Sequence, residues 1–248
     1  MNSIGKYQWA KKSNGLLTNW EKLQIINMAV KSELSLVLEK FKFKSSDLLK
    51  SHQLLIPESQ LISNIFKEVE QLYSPALLQH CIRTYHWGHI LASTDQVHID
   101  LELLYLASLL HDLGLTDSHI HHAKCGCFAV YGAEQADLLL DKAGASQTVK
   151  EIIFEAISAH LNPIVLNQDF HDISKYINQG AFLDVTGKRL FKISPVHQKE
   201  ILTKHSRDHF LTEIMETMKN SHHPDSRAGF MQIAFLKMVQ ANPLDNQY

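Results

Sequence analysis

The stretch that decides the fold is Leu101-Glu-Leu-Leu-Tyr-Leu-Ala-Ser-Leu-Leu-His-Asp-Leu-Gly114. It is almost entirely apolar until it reaches His111 and Asp112. Asp100 is a suitable N-cap and Gly114 a suitable residue just past the end, so the stretch predicts one short helix. Apolar residues on nearly every face indicate that this helix is buried.

A buried imidazole beside a buried carboxylate is costly unless something binds both groups. A divalent metal is the simplest compensation, because neutral His and ionised Asp are both good ligands. A second His-Asp pair, His171-Asp172, lies in a polar setting where we expect it to cap the next helix. We therefore predict that the metal-binding pair is His111-Asp112, which follows a continuous apolar helix.

The composition is that of an ordinary globular protein, with 248 residues, 45% hydrophobic and 20% charged. A net charge of −2 gives no basic field, so we expect neither nucleic acid nor membrane as a partner. Three cysteines suit a reducing compartment, and the N-terminus lacks a signal-peptide core. No stretch approaches the roughly 20 apolar residues of a membrane span. We predict a cytoplasmic protein acting on a small molecule, and a homo-oligomer stays open.

The chain divides into an N-terminal extension, residues 1–56, and a main domain, residues 57–248, which starts at Pro57. The extension is predicted to contain a helix from about Thr18 to Lys40. The alternating stretch Lys40–Lys44 fits either a short strand or a basic loop.

Helical spacing and caps recur through the main domain, while hairpins, Gly-rich phosphate loops and repeats are absent from its sequence. The fold class is therefore all-α. The predicted helices cover about 61–72, 75–93, 101–113, 128–143, 147–161, 173–185 (interrupted or bent near Gly180), 195–203, 208–218 and 224–241.

Three further polar residues lie on apolar faces of these helices: His80, His160 and Asp184. For either histidine taken alone, a hydrogen bond to a carbonyl is the favoured explanation. Asp184 is explained equally well by a salt bridge to Arg83. Together with His111-Asp112, however, these three residues favour a metal site. In that site His80 and Asp184 are ligands, and His160 points inward from a helix end.

The polar loop 115–127 carries His121, His122, Cys125 and Cys127. These residues could bind zinc, but Cys-x-Cys and His-His are spaced more tightly than structural zinc ligands usually are. A wall over the neighbouring site is the preferred interpretation of this loop.

The order His80, His111-Asp112, Asp184 resembles the H…HD…D pattern of the HD-domain metal-dependent hydrolase superfamily, over about residues 60–241. Residues 111–117, 128–133, 156–160 and 180–187 resemble its cyanamide hydratase-like branch, from which the loop before Phe128 departs. The resemblance implies an HD-domain helical bundle with these four ligands around one divalent metal. Zn2+ is preferred over Fe2+, Mn2+, Co2+ or Ni2+.

A cation in such a site lowers the pKa of water and polarises a carbonyl, nitrile or phosphoryl group. Asp112 or Asp184 could hold the proton of that water, and His160 or Asp117 could relay it. The resemblance implies the addition of water to a small nitrile-like molecule such as cyanamide, which needs no organic cofactor.

Two other functions stay open. Hydrolysis of a nucleotide or another small phosphoester needs the same metal plus cations for the phosphate, and Lys124 is the candidate catalytic cation, with Arg83 and Arg189. A non-catalytic regulatory domain held together by the metal uses the same ligands without a reaction. Measuring whether the protein turns over a substrate, and which products form, distinguishes hydration, phosphoester hydrolysis and the non-catalytic role.

Overall fold

The computed structural model describes residues 3–49, 53–123, 125–220 and 223–246. These residues form twelve α-helices and no strand, with a single isolated bridge between Leu16 and Ser226, so the predicted all-α class is confirmed. The helices are α1 (Tyr7–Ser13), α2 (Asn19–Lys42), α3 (Gln60–Leu72), α4 (Pro75–Thr94), α5 (Leu101–Leu110), α6 (Ile120–Ala123), α7 (Phe128–Lys142), α8 (Gln147–Ala159), α9 (Asp172–Thr186), α10 (Pro195–Lys204), α11 (Phe210–Asn220) and α12 (Arg227–Gln240).

Helix α2 begins with a complete capping box. The Thr18 side chain accepts a hydrogen bond from the Glu21 backbone N–H, and the Glu21 carboxylate accepts one from the Thr18 N–H. The helix continues through Lys42, and residues 43 and 44 follow it without regular structure. Of the two alternatives for Lys40–Lys44, the strand is therefore wrong and the loop holds for the last two residues only.

Helix α5 begins as predicted, with the Asp100 carboxylate accepting from the Leu103 N–H at 3.1 Å. It ends at Leu110 rather than at Gly114, and a 3-10 turn covers Leu113–Leu115. Gly114 has a packing role instead, because a Cβ there would lie 2.2 Å from the carbonyl oxygen of Phe128. The glycine thus lets the turn after the HD pair lie directly against α7.

The extensive contact between α4 and α9 depends on two glycines. A Cβ on Gly180 would lie 2.3 Å from the Thr84 carbonyl oxygen, and one on Gly88 would lie 2.7 Å from that of Tyr176. The predicted interruption near Gly180 is wrong, since α9 is continuous. Gly180 is there for the close approach of two backbones, which brings the His80 side of α4 against the Asp184 side of α9.

The first residues of the chain belong to the same buried core as the rest, through Ile4, Trp9 and Leu17. The side-chain amide of Asn162 donates to the Ile4 carbonyl oxygen at 2.8 Å. The boundary at residue 56 stays a prediction. None of the helices among the described residues is long and apolar enough to cross a membrane.

Candidate metal centre

Three predicted ligands converge at the ends of two helices. His80 lies in the second turn of α4, and His111 is the C-cap of α5, followed by Asp112. The Nε2 atoms of His80 and His111 are 3.2 Å apart. The Asp112 Oδ2 atom is 3.4 Å from the first and 3.3 Å from the second. Among the described residues, these three form the one group of His, Cys, Asp or Glu side chains arranged to hold a metal ion.

The other ring nitrogens fix how the two imidazoles are protonated. His80 Nδ1 lies 2.7 Å from the Asp184 carboxylate, and His111 Nδ1 lies 2.8 Å from the Ser108 carbonyl oxygen. Both partners can only accept, so each Nδ1 carries the hydrogen. In the neutral rings, the two Nε2 lone pairs therefore face one another and the Asp112 carboxylate.

This donor set fits a cation. Two lone pairs and a carboxylate oxygen with no hydrogen between them repel unless a positive charge lies among them. Ligand atoms bonded to a cation at about 2.0–2.1 Å are about 3.0 Å apart in an octahedral and about 3.4 Å apart in a tetrahedral arrangement. The observed separations of 3.2–3.4 Å lie in this range.

Electrostatics in the group also favours a bound positive charge. Burial would raise the pKa of Asp112, but His111, His80 and His160 together lower it, so the carboxylate is ionised. Burial lowers the pKa of His111. Burial also acts to lower the pKa of His80, but hydrogen bonds to Asp112 and Asp184 outweigh it and raise that pKa. A proton on His80 and a metal ion therefore compete for the same position.

Asp184 is buried, but it lies behind His80 rather than in the donor group. Its Oδ2 atom accepts from His80 Nδ1, and its two oxygens accept from the Arg83 guanidinium at 2.8 and 2.9 Å. The indole N–H of Trp87 donates to Oδ1 at 2.8 Å. The structure thus brings three of the four predicted ligands together and gives Asp184 the salt bridge to Arg83. Its role as a direct ligand stays a prediction.

His160 lies next to the donor group, as the C-cap of α8. Its Nδ1 atom donates to the Ile157 carbonyl oxygen at 2.6 Å, and its Nε2 atom lies 3.7 Å from Asp112 Oδ1. Burial, with the neighbouring His111, lowers the pKa of His160 to about 3. Its Nε2 lone pair is therefore available at neutral pH.

A cavity of about 30 Å3 lies over these polar groups, with room for about two water-sized groups. Its polar lining consists of His80, His111, Asp112 and His160, and every other lining residue is apolar. The apolar wall includes Leu115, Phe128, Leu161, Phe182, Ile214 and Phe235. No lysine or arginine of the described residues lines the cavity.

Of the remaining predicted catalytic residues, Asp117 is not brought to this cavity. Asp117 is exposed at the surface, beyond the buried Thr116. Lys124 lies outside the described residues. In the 115–127 loop, Cys127 is buried and Cys125 exposed, and its described residues form no metal-binding group.

Sequence reasoning missed the residues that hold His80 in place. The Phe210 ring stacks on the His80 ring at 4.7 Å with an angle of 18°. Arg207 donates to the Asp184 carbonyl oxygen at 2.7 Å. Both come from the C-terminal part of the chain, whose helical pattern indicated an apolar face but not which residue it would cover.

Comparison with curated proteins found none that matches the chain. A scan against protein-family models found a match to residues 77–168, which include His80, His111, Asp112 and His160 but not Asp184. The family is described as HD domain, and the match supports metal-dependent, hydrolase-type chemistry at the donor group. By this match, with the all-α fold and the buried His-His-Asp group, the segment 77–168 is similar to the HD domain.

Proposed function

We propose that the protein is a metal-dependent hydratase or hydrolase that adds water to a small uncharged molecule, with cyanamide or a simple nitrile as the preferred substrate. The observation that carries the proposal is the lining of the cavity. A polar floor of three histidines and one carboxylate lies under walls that, as far as the described residues form them, are apolar and carry no fixed positive charge.

His80, His111 and Asp112 would hold the metal, and Asp184 would orient His80 through its Nδ1 hydrogen, as carboxylates behind metal-bound histidines do. A bound divalent cation supplies Lewis-acid chemistry, since it polarises an electrophile and acidifies water. Zn2+ is the preferred ion, because histidine and carboxylate are common ligands for it.

His160 is the candidate for moving the proton. Its Nε2 lone pair is free of any bond to the backbone, because Nδ1 is the atom that donates to Ile157. It can accept a proton as water attacks the nitrile carbon and then give it to the nitrogen. The carbon gains an OH and the nitrogen an H, and the resulting imidic acid rearranges to the amide; from cyanamide the product is urea.

The size of the cavity also supports a small substrate. A space of about 30 Å3 beside the donor atoms takes a molecule of a few heavy atoms without movement of the walls. Apolar walls favour an uncharged ligand, because a charged one would lose its hydration without gaining a partner.

A phosphoester substrate is less well supported. Arg83 is bonded to Asp184 and to the carbonyl oxygens of residues 205 and 206, and Arg189 is paired with Glu39 at 3.0 and 3.1 Å. Phosphoryl transfer depends on positive groups around the phosphate. Two of the three cations proposed for that role are therefore already engaged.

The experiment is a substrate panel on purified protein loaded with Zn2+, Mn2+ or Fe2+. Cyanamide, acetonitrile and several nucleoside monophosphates are incubated separately, and urea, amide and phosphate are measured as products. We expect urea or amide to form and phosphate not to form. Phosphate release without hydration of cyanamide or nitriles would contradict the proposal. Stable metal binding without turnover of any member would favour the regulatory alternative.

A further inference from the structure

The apolar face of α2 points into solvent. Eight of the fifteen exposed large apolar side chains among the described residues lie on this one helix. Phe41 is 89% exposed and Val37 65%, values expected of charged rather than apolar side chains. The eight are Trp20, Leu23, Ile26, Val30, Leu34, Val37, Leu38 and Phe41.

The opposite face of α2 attaches the helix to the rest of the protein, and it does so mainly by polar contacts. Within α2, Ile25 and Ser32 are the buried residues. Lys22 pairs with Asp225 at 2.8 Å, and Glu33 pairs with Lys188 at 2.6 Å. A surface helix normally turns its apolar stripe toward the core. Here the stripe faces away from the core, so it lacks the burial that such a stripe needs.

The spacing of the exposed residues is that of a coiled coil. Positions 20, 23, 27, 30, 34, 37 and 41 are separated alternately by three and four residues, which is an unbroken a/d heptad pattern over the length of the helix. All of them are apolar except Asn27, and all of them are exposed. Ile25 and Ser32 fall at the f positions, directly opposite this seam.

Asn27 occupies an a position near one end of the seam. A single Asn at such a position fixes register and partner number in coiled coils, because it pairs with the same residue of a partner helix. This pairing requires a partner with an Asn at the matching position, which a second copy of the chain provides.

The size and charge of the seam suit association with itself. Taking a fully exposed large side chain as roughly 200 Å2, eight half-exposed ones offer on the order of 800 Å2, about what each partner contributes to a stable interface. In a parallel in-register pair, the flanking contacts are Ile26 with Lys31 and Glu33 with Leu38 of the second copy. Like charges do not meet across the seam.

We propose that the protein is a homodimer in which α2 pairs in parallel with α2 of a second copy, with Asn27 against Asn27. The proposal does not depend on the reaction catalysed. A membrane surface is the other occupant to consider, but binding to lipid requires only an apolar face and neither a seven-residue repeat nor an Asn within the apolar stripe.

The first test is the mass of the full chain in solution, by light scattering after size exclusion. We expect twice the 28.3 kDa of one chain. The double substitution Leu34→Glu, Val37→Glu should give a monomer that keeps the helical content of the wild type by circular dichroism, because both side chains are exposed on the single chain. Ile233→Glu, at a 73% exposed position on α12, is the matched control and should stay dimeric. A monomeric wild type or a dimeric double variant overturns the proposal. Co-sedimentation of a monomeric wild type with phosphatidylglycerol vesicles overturns it in favour of the membrane surface.

The second test addresses register. In a Cys125→Ser background, which removes the exposed native thiol, Asn27→Cys should form an intermolecular disulfide under mild oxidation. Lys22→Cys, on the side of α2 that faces the body of the protein, is the control and should form far less. Equal cross-linking of the two variants, or none by Asn27→Cys, contradicts the parallel pairing.

Discussion

The carboxylate of Asp184 lies 2.7 Å from Nδ1 of His80, while Nε2 of the same ring faces His111 and Asp112. Burial would raise the pKa of Asp184, but Arg83, Arg207 and His80 lower it well below its usual range. The ionised carboxylate therefore fixes the His80 tautomer and directs the Nε2 lone pair at the donor group.

Asp184→Asn should weaken metal binding without preventing it. The amide supplies one acceptor oxygen in place of two, so His80 and Arg83 lose part of their shared partner. We expect the metal dissociation constant to rise by about 10–100-fold, the usual cost of losing such a support. It is measured by competition with a chromogenic chelator. Asp208→Asn, at an exposed position, is the control, and complete loss of metal in Asp184→Asn would indicate a direct ligand instead.

Asp112→Ala should remove both metal and activity. It takes away the one charged member of the donor group and leaves two imidazoles to hold a divalent cation in a buried site. Metal content by atomic emission should fall to a small fraction of the wild-type value. Full metal content in this variant would show that the donor group is not the binding site.

His160→Ala should keep the metal and lower the rate. Its Nε2 atom is 3.7 Å from Asp112 and lies outside the donor triangle, so its loss changes proton movement rather than binding. We expect kcat to fall by about 10²–10⁴-fold, within the range for a general acid or base. Loss of metal along with activity would place His160 among the ligands instead.

Gly180→Ala should destabilise the fold and the site together. The new methyl would lie 2.3 Å from the Thr84 backbone oxygen, and a backbone atom cannot yield as a side chain can. We expect a loss of about 1–3 kcal/mol in the free energy of unfolding, measured in urea. Gly144→Ala is the comparison for backbone strain alone, since its φ of +83° is one that alanine rarely adopts and nothing lies within 4 Å of the added Cβ, whereas Gly180 has no positive φ. Because alanine in a helix interior otherwise stabilises relative to glycine, a Gly180→Ala variant as stable as the wild type would rule out the close approach.

Acid should destabilise the metal-free protein from about pH 6.5 downward. Burial, with Arg83 and Lys204, lowers the pKa of His205 to about 4, and that of His160 is lowered to about 3. Both histidines take up protons in the unfolded chain near pH 6.5 but not in the folded one, so stability present above pH 6.5 is lost as the pH falls. Urea unfolding at several pH values measures the loss. His205→Gln should flatten the dependence, while the control His98→Gln, at an exposed position, should not.

The helices and the donor group were predictable because their signals are local. Caps such as Asp100 and Ser146 act within one turn, and the spacing of apolar residues is set by the helix itself. His111-Asp112 was predictable for the same reason, as a polar pair at the end of an apolar helix.

The salt bridge of Asp184 to Arg83 was among the predicted alternatives, but its bond to Nδ1 of His80 was not predictable, because that bond depends on how two helices cross. The sequence places Asp184 on the inner face of α9, but the closeness of α4, set by Gly88 and Gly180, decides which atom of His80 it meets. The cavity walls depend on still longer-range packing, since Ile214 and Phe235 reach the site from distant helices.

His111 and His160 are the C-caps of α5 and α8, so both helices end at the same point in the protein interior. Each helix carries a partial negative charge at its C-terminus from its aligned peptide dipoles, and at α8 the Arg227 guanidinium, bonded to the Ser158 carbonyl oxygen, offsets part of that charge. The backbone itself therefore gives the cavity floor a negative potential. That potential attracts a cation whichever side chains bind it, and it repels a substrate that arrives with a negative charge of its own.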